Sequence, residues 1–227
     1  MKASILLLAP FLAATFALQA AEPNTLTDTE KAEGWKLLFD GKDLAQWRNY
    51  QKDGLSDKWR IEDGAFTLTE KGGGDIITKE TYGAFELKLD YRISKGGNSG
   101  LMYHVTEEEG TPWRTGPEIQ IQDNVDGHDP QKAGWLYQLY AADVDATKPA
   151  GEWNTIHIVI TPEKCVHTMN GTPYVEYVKG SADWDAKVAA SKFAKFARFG
   201  KPTRGFICLQ DHGNVVSFRN VKIKVID

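Results

Sequence analysis

The chain has 227 residues, a formal net charge of −4, 41% hydrophobic and 26% charged residues, a balance that suits one domain with a sizeable core. The slight acidity gives no support for nucleic-acid binding, and the lysine and arginine stripe that a phosphate backbone would need is missing, so no nucleic acid is expected as a partner. Two cysteines, Cys165 and Cys208, allow at most one disulfide, match no metal-binding spacing and read as buried thiols.

Residues 1–21 read as a secretory signal peptide. Met1-Lys2 is a minimal basic start, residues 5–18 are apolar, and Gln19-Ala20-Ala21-Glu22 supplies small residues for cleavage. The apolar run is short for a membrane span, and no cysteine stands at the cleavage point for a lipid anchor. An exported chain, periplasmic or secreted and without membrane insertion after cleavage, is the expectation. Residues 22–33 form a polar lead-in with a short helical turn, and 34–227 form a single domain.

From Trp35 the pattern is β-like. Residues 35–39 lead to the turn Asp40-Gly41-Lys42-Asp43. Residues 59–62 and 65–68 make a hairpin across Asp63-Gly64, a favoured two-residue turn, and Asn170-Gly171 joins residues 165–169 to 172–177 in the same way. Residues 72–74, three glycines, make another turn before a short strand at 75–78. The clearest alternation is 85–93, FELKLDYRI, a half-buried antiparallel strand whose charged face meets water. Further strands are predicted at 101–105, 135–140, 153–160, 205–210 and 215–226. Residues 182–199 break the pattern: Trp184, Val188, Phe193 and Phe196 recur at helical spacing, which predicts one amphipathic helix capped by Ser181 or Asp183. Many short strands with regular turns and a single helix predict an all-β antiparallel sandwich.

The stretch 116–123, GPEIQIQD, stands apart. Ile119 and Ile121 alternate with Glu118, Gln120 and Gln122, so one strand face packs while the other lines up a carboxylate and two amides. A packed core does not tolerate such a row without partners. Asp123 joins that face only if a β-bulge adds a residue near Ile121 and Gln122.

Several motifs now fall in order: WKLLFDGKDL at 35–44, KGGNSGL at 95–101, EIQIQDN at 118–124, GEWN at 151–154, Asn170-Gly171, and LQDHG at 209–213 followed by Phe218-Arg219-Asn220. Together they resemble the family long labelled domain of unknown function 1080, now called the 3-keto-disaccharide hydrolase domain, over nearly all of the chain beyond its leader. The resemblance implies a concanavalin-like jelly roll, the scaffold of many lectins and β-glucanases, and processing of 3-keto-glycosides outside the cytoplasm. A local similarity links Glu118, Gln120 and Asp123 to the E-x-D-x-x-E strand of β-glucanases. Here the middle carboxylate is an amide and the last is shortened, which disfavours a retaining pair about 5–5.5 Å apart.

Cleavage of a 3-keto-glycoside has its own logic. The C3 ketone acidifies the C2 proton, a base removes it, the enolate expels the group at C1, and water adds to the enone. Such a site needs a base, an electrophile and a polar cradle. The catalytic candidates are Glu118, Asp123, His104 and His212, with one of the two histidines as the base. Gln120, Asn98, Trp113, Arg114, Tyr103, Tyr137 and Gln210 are candidates for substrate binding, aromatic faces stacking on sugar rings and arginine donating paired hydrogen bonds. Glu118, Asp123 and His128 are the candidate ligands of a divalent metal ion that would polarise the ketone; no organic cofactor is expected. His157 and His167 read as structural. The partner is a carbohydrate, the oligomeric state is open, and the competing readings are a non-catalytic lectin-like module and an ordinary β-glucanase.

Overall fold

The computed structural model describes residues 22–226; the signal-peptide expectation falls on residues outside that range. Among the described residues thirteen strands form two antiparallel sheets. The first holds β1 (Lys36–Leu37), β3 (Trp59–Glu62), β4 (Ala65–Leu68), β6 (Phe85–Ile93), β9 (Asn154–Ile160), β10 (Cys165–Met169), β11 (Thr172–Tyr177) and β13 (Val216–Val225), in the order β11-β10-β9-β6-β13-β4-β3 with β1 also on β13. The second holds β2 (Trp47–Asn49), β5 (Ile76–Thr78), β7 (Asn98–Val105), β8 (Glu118–Gln122) and β12 (Phe206–Leu209), in the order β2-β5-β12-β7-β8. This is the predicted β-sandwich.

The inner faces follow from alternation. On β6, Phe85, Leu87, Leu89, Tyr91 and Ile93 are buried, while the charged residues between them are half-buried. They pack between the sheets with Leu101, Tyr103, Ile119 and Ile121. An aromatic cluster closes one end, with Phe66 4.8 Å from Phe39 and 5.5 Å from Phe218 between ring centroids. Each such side chain contributes roughly 1.5–3 kcal/mol by leaving water. Because Ile119 and Ile121 face inward, Glu118, Gln120 and Gln122 are turned to the outer face of the second sheet. Both predicted hairpin turns have the left-handed pair they require: φ is 49° and 70° at Asp63-Gly64 and 49° and 82° at Asn170-Gly171. Cys165 and Cys208 are buried free thiols.

Three local expectations differ. The helix α2 (Ala182–Ala190), capped by the Ser181 hydroxyl, stops nine residues short of the predicted end at 199. Ser191 is extended there; its hydroxyl donates to Val188 O and accepts from Phe193 N, and a separate 3-10 turn, Lys192–Lys195, follows. A second helix, α1 (Asp28–Ala32), is the short turn of the lead-in. Residues 135–140 are not a strand: Gln138 is left-handed at φ 66° and only isolated bridges join Leu136 to Ile119 and Tyr140. The β7–β8 register runs unbroken from Asn98 opposite Gln122 to Met102 opposite Glu118, so β8 has no bulge. The register shift lies on the other side of β7. Phe206 pairs with Val105 and Cys208 with Met102, so Tyr103 and His104 together oppose Ile207.

Candidate active site

The outer face of the second sheet carries a cleft of about 340 Å³, within the range of small-ligand sites. Its floor is Asn98 from β7, Glu118 and Gln120 from β8, and Gln210 just past β12. Its walls are loops: Asp75 before β5, Asp211 and His212 after β12, Trp113 on the 3-10 turn Pro112–Arg114, Asp129 and Tyr137 after β8, and Lys192 after α2.

Two glycine-dependent contacts shape this floor. Gly100 is paired with Gln120, and a Cβ on it would lie 2.4 Å from Glu118 Oε1. The glycine therefore leaves the space the Glu118 carboxyl occupies. Asp211 ties the triple-glycine turn to the His212 loop: its carboxylate accepts from Gly72 N at 3.0 Å, Gly74 N at 2.8 Å and Gly213 N at 2.8 Å. Its own N–H donates to Asp75 Oδ1 at 2.9 Å.

The floor has spare acceptors. Asn98 Oδ1, Gln120 Oε1 and Gln210 Oε1 are buried without a protein hydrogen bond. Buried acceptors are ordinarily satisfied, and the three residues that carry these all line the cleft, where amides suit the hydroxyls of a ligand. The Glu118 carboxyl also has no hydrogen-bond donor among the described residues, although the residue is only 6% exposed. Burial pushes its pKa up to about 8; Lys192 opposes that rise, while Asp75 and Asp129 add to it. Asp75 is pushed up to about 6 by burial, partly offset by the Asp211 N–H, with the Asp211 charge adding to the rise. Burial lowers the Lys192 ammonium, against the pull of Glu118 and Asp129. Lys192 Nζ lies 4.3 Å from the Tyr137 ring centroid and 5.5 Å from that of Trp113, a cation held by two aromatic faces. Tyr137 OH donates to Asp129 Oδ2 at 2.8 Å. The cleft thus offers a carboxyl that exchanges its proton near neutrality, a cation and a polar cradle.

Of the sequence candidates, the fold brings Glu118, Gln120, Asn98, Gln210, Trp113, Tyr137 and His212 together. The others lie elsewhere. Without a bulge in β8, Asp123 turns away from Glu118; its carboxylate accepts from Gly96 N at 2.9 Å and Val125 N at 3.1 Å. Burial would raise its pKa, but these bonds, with another from Asp126, hold it below the usual range. The bulge on β7 carries His104 away from the cleft to Gly83 O, 2.8 Å from Nε2, and Lys179 Nζ, 2.7 Å from Nδ1. Burial and the Lys179 charge lower its pKa to about 4, so the expectation of His104 as the base is corrected. Tyr103 is a core residue bonded to Tyr177 OH at 2.7 Å, not a wall of the cleft. Arg114 stacks on Trp113 and Phe196 outside the lining. His128 is exposed on its loop.

The metal set Glu118, Asp123 and His128 is therefore not assembled, and no group of three or more His, Cys, Asp or Glu side chains among the described residues has the spacing to hold a metal ion. The carboxylates Asp75, Glu118, Asp129 and Asp211 line the cleft without gathering into such a group. Asp75, Asp129, Asp211 and Lys192 escaped the sequence reading. A carboxylate directly after three glycines was a usable signal for Asp75, and the Asp126–Asp129 loop one for Asp129. Lys192 gave none, because its place depends on where α2 ends.

The profile of the 3-keto-alpha-glucoside-1,2-lyase-like domain matches residues 34–224. A 3-keto-disaccharide hydrolase of Bacteroides thetaiotaomicron is 35% identical, covering 92% of this chain and 84% of that protein. A crystal structure of a candidate glycosyl hydrolase from Parabacteroides distasonis superposes with a TM-score of 0.86 at 36% identity, covering 91% of this chain and all of that one. A second candidate glycosyl hydrolase from the same organism gives 0.64 at 30% identity, over 85% and 99% of the two chains.

Proposed function

The chain belongs to the 3-keto-alpha-glucoside-1,2-lyase-like family, and we propose that it is a carbohydrate-active enzyme that cleaves 3-keto-glycosides by elimination at C1 and hydration, with Glu118 as the base at C2. The observation that carries this reading is the Glu118 carboxyl, buried, without a protein hydrogen bond and facing a cleft whose floor holds three unpaired amide oxygens.

The steps follow from the groups present. Asn98, Gln120 and Gln210 accept hydrogen bonds from sugar hydroxyls, and Trp113 and Tyr137 flank the ring. Glu118, as carboxylate, takes the C2 proton, and the electron pair moves onto the C3 oxygen. The Lys192 ammonium stabilises that enolate, as preorganised charge does where negative charge develops. The enolate then reforms the ketone while the C1–O bond breaks, and His212 gives the departing oxygen its proton. Water adds across C1 and C2, oxygen to C1 and proton to C2. Glu118 stands on β8 and His212 in the loop after β12, the neighbours of β7 on its two sides, and both line the cleft, so a ring bound over β7 has one on each side. An ordinary retaining glucanase is less well supported, because Asp123 is turned from Glu118.

The test is cleavage of a 3-keto-glucoside in D₂O. Elimination and hydration place deuterium at C2 of the released 3-keto-sugar faster than the free product exchanges, and Glu118→Gln slows cleavage and labelling together by about 10²–10⁴-fold. Cleavage without C2 labelling would reject the elimination route, and binding without turnover would favour a lectin-like module.

A further inference from the structure

The β7 bulge builds a second cavity, of about 150 Å³. His104, at φ 52°, is held in a left-handed conformation that a residue with a Cβ seldom adopts, a form of local strain found where a side chain must be aimed. Gly205 makes it possible, since a Cβ there would lie 2.4 Å from the His104 carbonyl carbon. The His104 Nε2 donates to Gly83 O, so Nδ1 presents its lone pair to Lys179 Nζ. Lys179 also donates to Pro202 O.

The charges around this cavity do not balance. Lys179 lines it, and the Arg204 guanidinium stands beside Gly83, another lining residue, about where a Cβ of Gly83 would meet it at 3.6 Å. Arg204 donates to Thr81 O. Among the described residues every ion pair within 4.0 Å is made by other side chains. Cys165 lies near Lys179, but burial raises its thiol pKa and leaves it uncharged. A largely desolvated ammonium without a counter-charge is costly. The remaining walls include Ala84, Ile160 and Pro162, with Pro162 and Thr203 exposed at the mouth.

We propose that this pocket is a second binding site that takes a short monocarboxylate, its charge meeting Lys179 and Arg204 and its apolar tail lying against Ala84, Ile160 and Pro162. The cavity admits only a few heavy atoms, and the two cations without a carboxylate select an anion over a neutral compound of the same shape.

Calorimetric titration of the chain with sodium butyrate, and separately with the neutral butyramide, tests this. Butyrate binds with a Kd on the order of 1 mM, Lys179→Gln weakens it about tenfold or more, Arg204→Gln weakens it several-fold, and butyramide gives no binding heat. Lys192→Gln, in the cleft, leaves butyrate affinity unchanged. Equal affinity for butyramide, no butyrate binding at concentrations about tenfold higher, or affinity lost with Lys192→Gln rather than Arg204→Gln would overturn the proposal. Should Lys179→Gln fail to fold, Arg204→Gln at the exposed rim decides it: unchanged affinity there rejects the site.

Discussion

Strands β6 and β8 carry the same period-two pattern, apolar on one face and polar on the other, and the polar faces differ in kind. On β6 each charged side chain has a partner within the protein. Glu86 bonds His157 at 2.7 Å and Lys224 at 2.6 Å, Asp90 bonds Thr155 and Asn220 at 2.7 Å each, and the two cations, Lys88 and Arg92, lie over the rings of Trp35 and Trp153. On β8 every residue is buried, the carboxyl of Glu118 finds no donor, and Gln120 and Gln122 each keep an unpaired oxygen. Alternation alone therefore does not distinguish a solvated face from a binding floor. What distinguishes them is whether the polar groups are satisfied within the protein. A satisfied face stabilises the fold; an unsatisfied buried one is held ready for a ligand.

That contrast is broken most severely at Glu118. Glu118→Gln removes the base, and kcat for a 3-keto-glucoside falls about 10²–10⁴-fold, measured by release of free sugar. The same variant changes stability in the opposite sense. With a folded-state pKa of about 8 against the ordinary 4.5, the folded chain holds a proton that the unfolded chain has released between those values. Stability thus falls as pH rises from 4.5 through about 8. Thermal melting from pH 4.5 to 9 is expected to show a wild-type decline that Glu118→Gln lessens.

Lys192→Met is next in size, with kcat falling about 10²–10³-fold through loss of the charge over the enolate. Because Lys192 holds the Glu118 pKa down, the pH–rate profile also moves to higher pH, which a merely structural lysine would not cause. Gly100→Ala presses a methyl group against Glu118 Oε1 and is expected to cost about 1–3 kcal/mol in stability, read by urea unfolding, together with lowered turnover. Gln210→Leu raises KM about tenfold by removing one hydroxyl acceptor, with a smaller change in kcat. The smallest effect is on β6. Glu86→Gln changes stability by about 1 kcal/mol, because its partners His157 and Lys224 are only half-buried, and leaves turnover unchanged, because it lies on the other sheet from the cleft.

The parts legible in the sequence are those fixed by short-range rules. Residues 85–93 alternate, Asp63-Gly64 and Asn170-Gly171 demand tight turns, and Glu118 with Gln120 stands out as a polar row beside two isoleucines. The missed parts depend on long-range placement. Residues 135–140 look like a strand but fold back on themselves, because Gln138 turns left-handed and its N–H bonds Gln131 Oε1. Periodicity carries α2 on to Phe199, yet the Ser191 hydroxyl caps both the end of α2 and the start of the next turn, and only that break carries Lys192 over the cleft. Residue spacing could not locate the bulge. It lies on β7 rather than β8 because Gly205 on the facing chain permits the close approach, and it sends His104 to one pocket while leaving Glu118 in another.

The measurement that bears most directly on Glu118 as the base is the pH dependence of kcat/KM for a 3-keto-glucoside in the wild type, Glu118→Gln and His212→Asn. An ascending limb near pH 8 in the wild type, retained in His212→Asn at reduced rate and lost in Glu118→Gln, is the predicted result. A limb that survives in Glu118→Gln and vanishes in His212→Asn would make His212 the base and contradict the assignment.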